Sequence, residues 1–153
     1  RTHTKRLNMP TTGNVKGNLL GLYISTDGGT TYTLVGSATN ATLSISNETL
    51  DVTTKQSTGK KELIYNVQSA TITAEGFVKY DESIGSEELR SVALGASDDA
   101  NYMARFTTGV TGDKEVRFNA IITSFEESAA VNEIATFSIT LESTGAITEA
   151  TVS

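Results

Sequence analysis

Four pairs of adjacent acids are the residues best suited to acid–base chemistry: Asp81 with Glu82, Glu87 with Glu88, Asp98 with Asp99, and Glu126 with Glu127. Glycosidic or hydrolytic chemistry needs two carboxyl groups facing one bond. Neighbours on a strand point to opposite faces, so these pairs fit a solvated surface better than a catalytic centre. A calcium site at Asp98 and Asp99 would need further oxygens at fixed spacing, and no EF-hand pattern surrounds them. The only histidine is His3, near the N-terminal end, and cysteine is absent. A Ser-His-Asp triad, a thiol nucleophile and a thiolate metal site therefore lack their parts. Gly59-Lys60-Lys61 is not a phosphate loop: Thr54 stands where that motif has its first glycine, and Lys61 where it needs a hydroxyl. The sequons at Asn40 and Asn47 are chance matches in a threonine-rich chain. No catalytic, cofactor-binding or metal-binding residue is assigned.

Charge is distributed unevenly. The formal net charge is −6, yet residues 1–16 carry Arg1, Lys5, Arg6 and Lys16 and no acid. From residue 124 onward the charged residues are Glu126, Glu127, Glu133, Glu142 and Glu149, with no base. Such a body repels nucleic acid rather than gripping it. At 153 residues the chain is long enough for one ordinary domain. It has no apolar run of membrane-spanning length, so no membrane partner is expected.

The elements that position these residues are mostly strands. Threonine is abundant and proline occurs once, at Pro10, so long ladders are uninterrupted. Residues 1–16 form an extended basic arm that includes Lys5 and Arg6. Residues 19–26 predict a strand, with Leu20, Leu22 and Ile24 on one face. Asp27, Gly28 and Gly29 then predict a tight hairpin, the glycines supplying positive φ and Asp27 accepting bonds from turn amides. The segment from Ser25 to Tyr32 resembles the Asp-box of sialidases, a folding element that recurs in those enzymes and occurs once here.

Residues 33–38 return as the second strand, and residues 42–45 form a third, short one. Residues 46–61 are polar and predict a long loop, a kind of segment that is functional more often than idle. Over residues 63–80, Ala70, Ile72 and Ala74 alternate with Thr71, Thr73 and Glu75, the period of a strand packed on one face. Residues 86–97 switch to a helical period, with Ser86 as a cap, Glu87 and Glu88 in the first turn, and Leu89 and Val92 on one stripe. Strands follow over residues 101–110, 115–125 and 134–142. Ile121 and Ile122 make the middle one apolar on both faces, so cover by a helix or another subunit is expected there. Residues 143–153 predict an extended tail bending at Gly145. The sum is one mainly β domain with a single short helix.

Taken in order, these segments resemble a known family. Gly21-Leu22-Tyr23-Ile24-Ser25 runs into Asp27-Gly28-Gly29. A loop follows through Asp51, Val52, Thr53, Thr54, Lys55, Gln56, Ser57, Thr58 and Gly59. Then come Phe118-Asn119-Ala120-Ile121-Ile122 and Ala135-Thr136-Phe137-Ser138-Ile139, closing on Thr144-Gly145-Ala146-Ile147. The order is similar to that of the major tail (tail tube) proteins of long-tailed bacteriophages. The resemblance covers residues 17–147 as one domain, between the arm of residues 1–16 and a tail of residues 148–153. It implies two packed antiparallel sheets, a sandwich or partial barrel, flanked by the helix. It also implies homo-hexameric rings stacked into a tube, a structural virion component and no enzyme. Its partners would be copies of itself, the tape measure and tail terminator proteins, and DNA passing through the lumen without specific binding. Assembly would occur in the host bacterial cytoplasm. The loop of residues 51–59 would reach a neighbouring subunit or ring, and Lys5 and Arg6 would meet acidic patches on a neighbour. The basic opening segment departs from the family pattern.

Two other function classes fit parts of the sequence. An extracellular immunoglobulin-like or carbohydrate-binding module suits the hairpin and the Thr-rich strands, but not the absence of tryptophan and cysteine. A β-rich hydrolase lacks an identifiable centre.

Overall fold

The structure, a computed structural model, describes residues 10–17, 20–36, 38–81, 84–95 and 102–152. The strands are β1 Gly21–Ser25, β2 Thr33–Leu34, β3 Ala38–Asp51, β4 Leu63–Phe77, β5 Met103–Thr107, β6 Lys114–Ser128 and β7 Thr136–Thr151, with one helix, α1 Ser86–Gly95. The mainly β fold with one helix is as the sequence predicts. The two-sheet detail is corrected. All seven strands form one antiparallel sheet in the order β2-β1-β5-β6-β7-β4-β3. The reason is the length of β6 and β7, at 15 and 16 residues. Each runs through both halves of the fold, so the halves stay hydrogen-bonded through shared strands.

Alternation builds the core on one face. Ala70, Ile72 and Ala74 of β4 are buried, as are Phe137, Ile139 and Leu141 of β7, Leu22 and Ile24 of β1, and Phe118 and Ala120 of β6. Each set occurs at period two, so one pleated face is apolar while its reverse is polar. Leu89 from α1 covers the open side of this face. The helix starts on Gly85, whose amide donates to Glu88 Oε2 at 3.0 Å, half of a capping box. Ser86 is the first helical residue rather than the cap, and its buried hydroxyl has no partner.

Two further expectations change. Much of the long loop at residues 46–61 is strand. Ser46 pairs with Ser69, Asn47 with Gln68, Leu50 with Ile64 and Asp51 with Leu63, making a hairpin arm of β3 and β4. Both faces of this arm are exposed, so no apolar period marks it in the sequence. The expected tail, in turn, is the second half of β7, and its residues 144–151 pair with residues 114–119 of β6. Gly145, at φ 78°, lies in a bulge where the register jumps from Phe118↔Ile147 to Asn119↔Thr144. A bulge bends its strand. Here the sheet forks: β4 pairs with β7 only up to Glu142, then leaves with the arm. At the fork the Ala70 amide donates to Ser143 Oγ at 2.9 Å.

Candidate assembly interface

Among the described residues the arm is the most exposed regular structure, with residues 45–51 and 63–69 exposed throughout. From residue 45 to residue 51 it extends about 20 Å at strand rise. Leu50 is 51% exposed, Ile64 51%, Tyr65 81% and Val67 52%. Cross-strand pairing puts Leu50 with Ile64 on one face and Thr49 with Tyr65 on the other. An isolated two-stranded hairpin is marginal in water, and clustered exposed apolar side chains mark a contact surface.

The tip, residues 51–59, is tied to itself. Asp51 Oδ1 accepts from the Thr53 amide at 2.9 Å. The Thr53 hydroxyl and amide together hold the Asp51 carboxyl below its usual range. The Val52 amide donates to the Glu62 carbonyl, and the Glu62 amide to Thr53 Oγ1. The Thr54 amide donates to Ser57 Oγ at 3.1 Å, holding a single 3-10 turn over Lys55, Gln56 and Ser57. Thr58 and Gly59, at φ 49° and 76°, then return the chain to β4. The tip therefore presents a fixed shape.

Asp27, Gly28 and Gly29 lie in the loop joining β1 to β2. It is longer than a two-residue turn, since the last cross-strand pair is Ile24 with Thr33. Ser25 Oγ donates to Asp27 Oδ1 at 2.6 Å, and the Thr30 and Thr31 amides donate to the same oxygen at 3.1 and 3.0 Å. The Ser25 hydroxyl, then the Thr31 amide, hold the Asp27 carboxyl low. Gly29, at φ 93°, has Met103 Sδ and the Tyr32 hydroxyl 3.0 and 3.1 Å from where a Cβ would sit, so the loop folds down onto the sheet.

Away from the core, the sheet has two unlike faces. On the β3-β4-β7-β6 side the registers form three rows across four strands: Asn40, Glu75, Ser138, Glu126; Thr42, Thr73, Thr140, Ser124; and Ser44, Thr71, Glu142, Ile121. Hydroxyls, one amide and acids fill it, with Ile121 at one corner and no base. Ile121 is half-buried on this face, whereas Ile122 packs with the core.

On the β1-β5-β6-β7 side the corresponding row is Tyr23, Arg105, Arg117, Thr148. Glu115, 2% exposed, lies between the two arginines. Its Oε2 is 3.0 Å from Arg105 Nη1 in an ion pair not aligned as a hydrogen bond, and its Oε1 meets Arg117 Nη2. The Arg105 guanidinium sits 4.7 Å from the Tyr23 ring centroid and 4.6 Å from that of Tyr32, within cation–π range. These five residues escape a sequence reading, because single charges spread over residues 105–117 look like solvated surface. The usable signal is Glu115 and Arg117, two apart on a strand and hence on one face.

Lys5 and Arg6 lie outside the described residues. The chain that follows them is anchored: the Thr11 amide and hydroxyl donate to Asp113 at 2.6 and 2.5 Å, and the Thr108 hydroxyl donates to the same carboxylate. The Thr108 hydroxyl, then Thr11, hold the Asp113 carboxyl low. Among the described residues no group of three or more His, Asp and Glu side chains could hold a metal ion. A cleft of about 360 Å³ between α1 and β1 is lined by Ile24, Ile84, Leu89, Val92 and Tyr102. Its buried Tyr102 hydroxyl has no partner, and burial pushes its pKa well up, away from base chemistry near neutral pH. His3, Asp98 and Asp99 lie outside the described residues.

A family profile described as phage tail tube protein matches residues 14–149. Among solved structures, the chain is similar to one from the tail of an empty gene transfer agent particle refined with C6 symmetry, at 22% identity and TM-score 0.73, covering 88% of this chain and 98% of that one. The SPP1 tail tube follows at 13% identity and TM-score 0.66, covering 90% and 80%. The sheath–tube complex of an extracellular contractile injection system, PVC, gives 16% and 0.60, covering 99% and 100%. No curated protein matches the chain.

Proposed function

Because this chain belongs to the phage tail tube protein family, we propose that six copies close into a ring and that rings stack into a tube through which DNA passes. The observation that carries this reading is the edge of β3. Among the described residues it is one of the two edge strands of the sheet, 14 residues long and free of proline. A long unpaired edge is a template for another chain, and closing a ring leaves no such edge exposed. The arm that continues this edge reaches the neighbouring ring. Its fixed tip at residues 51–59 and the apolar Leu50, Ile64, Tyr65 and Val67 supply the contact. Half-buried Ile121 becomes covered by an adjacent subunit.

The base-free face of three rows lines the lumen, apart from its corner at Ile121, where the adjacent subunit seats. Acids repel the phosphate backbone at range, and hydroxyls offer no cation for it to bind, so DNA slides without sticking. The protein does no chemistry. Its other partners are the tape measure and tail terminator proteins, and assembly takes place in the host bacterial cytoplasm, where Lys5 and Arg6 meet acidic patches on neighbours.

Negative-stain microscopy of the purified protein tests the proposal. Rings or tubes are expected; a solitary monomer at high concentration overturns it in favour of a monomeric binding module. Deleting residues 52–58 is expected to leave the far-ultraviolet circular dichroism of the folded chain and to abolish tubes. Normal tubes from that deletion would remove the tip from the interface.

A further inference from the structure

The Arg105, Glu115 and Arg117 cluster is one anion short. Two guanidiniums share a single carboxylate, and among the described residues no second acid pairs with either. Arg105 Nε and Arg117 Nε are both buried without a hydrogen-bond partner. Burying a cation without its full set of acceptors is costly, so a site of this kind is completed by an incoming anion. Arg117 is the open side, with its side chain 31% exposed against 16% for Arg105. Tyr32 provides flat apolar surface beside it, the Arg117 guanidinium lying 6.0 Å from that ring centroid, while Tyr23 and Tyr32 both flank Arg105.

The opposite end of β6, which carries Glu115 and Arg117, has a shape that fits. The turn joining β6 to β7 holds Glu133 between two strongly exposed apolar residues, Val131 at 89% and Ile134 at 70%. The turn is ordered by the Glu133 amide donating to the Ala130 carbonyl at 3.2 Å, with Asn132 at φ 65°. A carboxylate flanked by apolar groups suits a guanidinium beside a tyrosine ring. Arg117 lies near the 114↔151 end of the β6–β7 ladder, and Glu133 lies just beyond its 128↔136 end. Both sites are on one molecule but at opposite poles. A contact between them is head-to-tail and repeats from copy to copy, which is how a ring or filament grows.

We infer that Arg117, with Arg105, receives the Glu133 carboxylate of a second copy of this chain, so that each subunit completes the charge balance of the next. This rests on the self-assembly proposed above. The test is a double-mutant cycle of Arg117→Gln and Glu133→Gln, read as the critical concentration for polymerisation by sedimentation at low and high salt. Arg117→Gln keeps the Arg105–Glu115 pair but takes the partner of Glu115 Oε1, so it is assayed where circular dichroism shows the variant folded. Glu133→Gln, on an exposed turn, is expected to melt as wild type does and carries the test by itself if the first variant fails to fold. Each single change is expected to raise the critical concentration about tenfold at low salt and to flatten its salt dependence. The double variant is expected to be no worse than either single one. Additive effects, or either single variant assembling as wild type does, overturn the pairing. Binding of a short DNA duplex by wild type but not by Arg117→Gln would give the site to phosphate instead. A wild-type protein that never assembles counts against the tube itself, a separate result.

Discussion

The outward face of the β3-β4-β7-β6 side and that of the β1-β5-β6-β7 side belong to one sheet, and β6 and β7 run through both. One presents rows such as Thr42, Thr73, Thr140 and Ser124, short side chains that need nothing from one another. The other presents Tyr23, Arg105, Arg117 and Thr148, where the charges depend on a buried Glu115 and on the rings around them. The contrast separates a surface kept inert from one held under electrostatic tension. In the lumen-lining role proposed for it, the first must stay uniform along its length, because DNA sliding past would meet every row. The second must be specific at one point.

Glu115→Gln attacks that difference most directly. It leaves two partly buried guanidiniums with no counter-charge, and a loss of about 3–5 kcal/mol is expected from breaking a buried pair in this way. Urea denaturation measures it, and a loss under 1 kcal/mol would place the cluster with ordinary surface charge. Gly145→Ala comes next. No atom lies within 4 Å of the added Cβ, so the cost is the left-handed backbone alone, about 1–2 kcal/mol by the same measurement. A neutral result there would detach the fork from any need for glycine.

Asp113→Asn is expected to be milder. The carboxyl of Asp113 is held below its usual value by the Thr108 and Thr11 hydroxyls. Its stabilisation is full above the ordinary carboxylate pKa, near ~3.9, and disappears as pH falls through the lowered value of the folded state. Melting temperatures of wild type and variant should therefore differ at pH 7 and converge in acid. A difference that persists at low pH would assign the effect to shape rather than charge. Last, Thr42→Ala on the inert face should change stability by no more than about 0.5 kcal/mol, as for an exposed position without partners. A large change there would erase the contrast between the faces.

How much of this the sequence discloses depends on whether burial leaves a period. Ala70, Ile72 and Ala74 alternate with Thr71, Thr73 and Glu75 because one side of β4 meets the core, and the strand is legible from them alone. The reading of residues 63–80 as strand carries over Asn66 and Gln68, but their partner is illegible over Ser46 to Asp51, where both faces meet water and backbone pairing sets the structure. The second half of β7 reads as a tail for a related reason: Gly145 and the bulge break its register with Phe118. The family order pointed to residues 51–59 as a contact. The apolar stretch beside them, Leu63 to Val67, is where the arm exposes most of its hydrophobic surface. The arginine cluster depends on strands β5 and β6 lying side by side, a fact of pairing that no local spacing contains.

The fork at Gly145 has a mechanical consequence. A pull on the arm along its length runs in line with β4, whose residues 71–77 are paired on one side with β7 and whose other side carries β3. Seven cross-strand pairs with β7 are then loaded together in shear, instead of opening one after another as a zipper does, and Ser143 fastens the ladder's leading end at Ala70. The joint is weakest to peeling and strongest to tension along the strand.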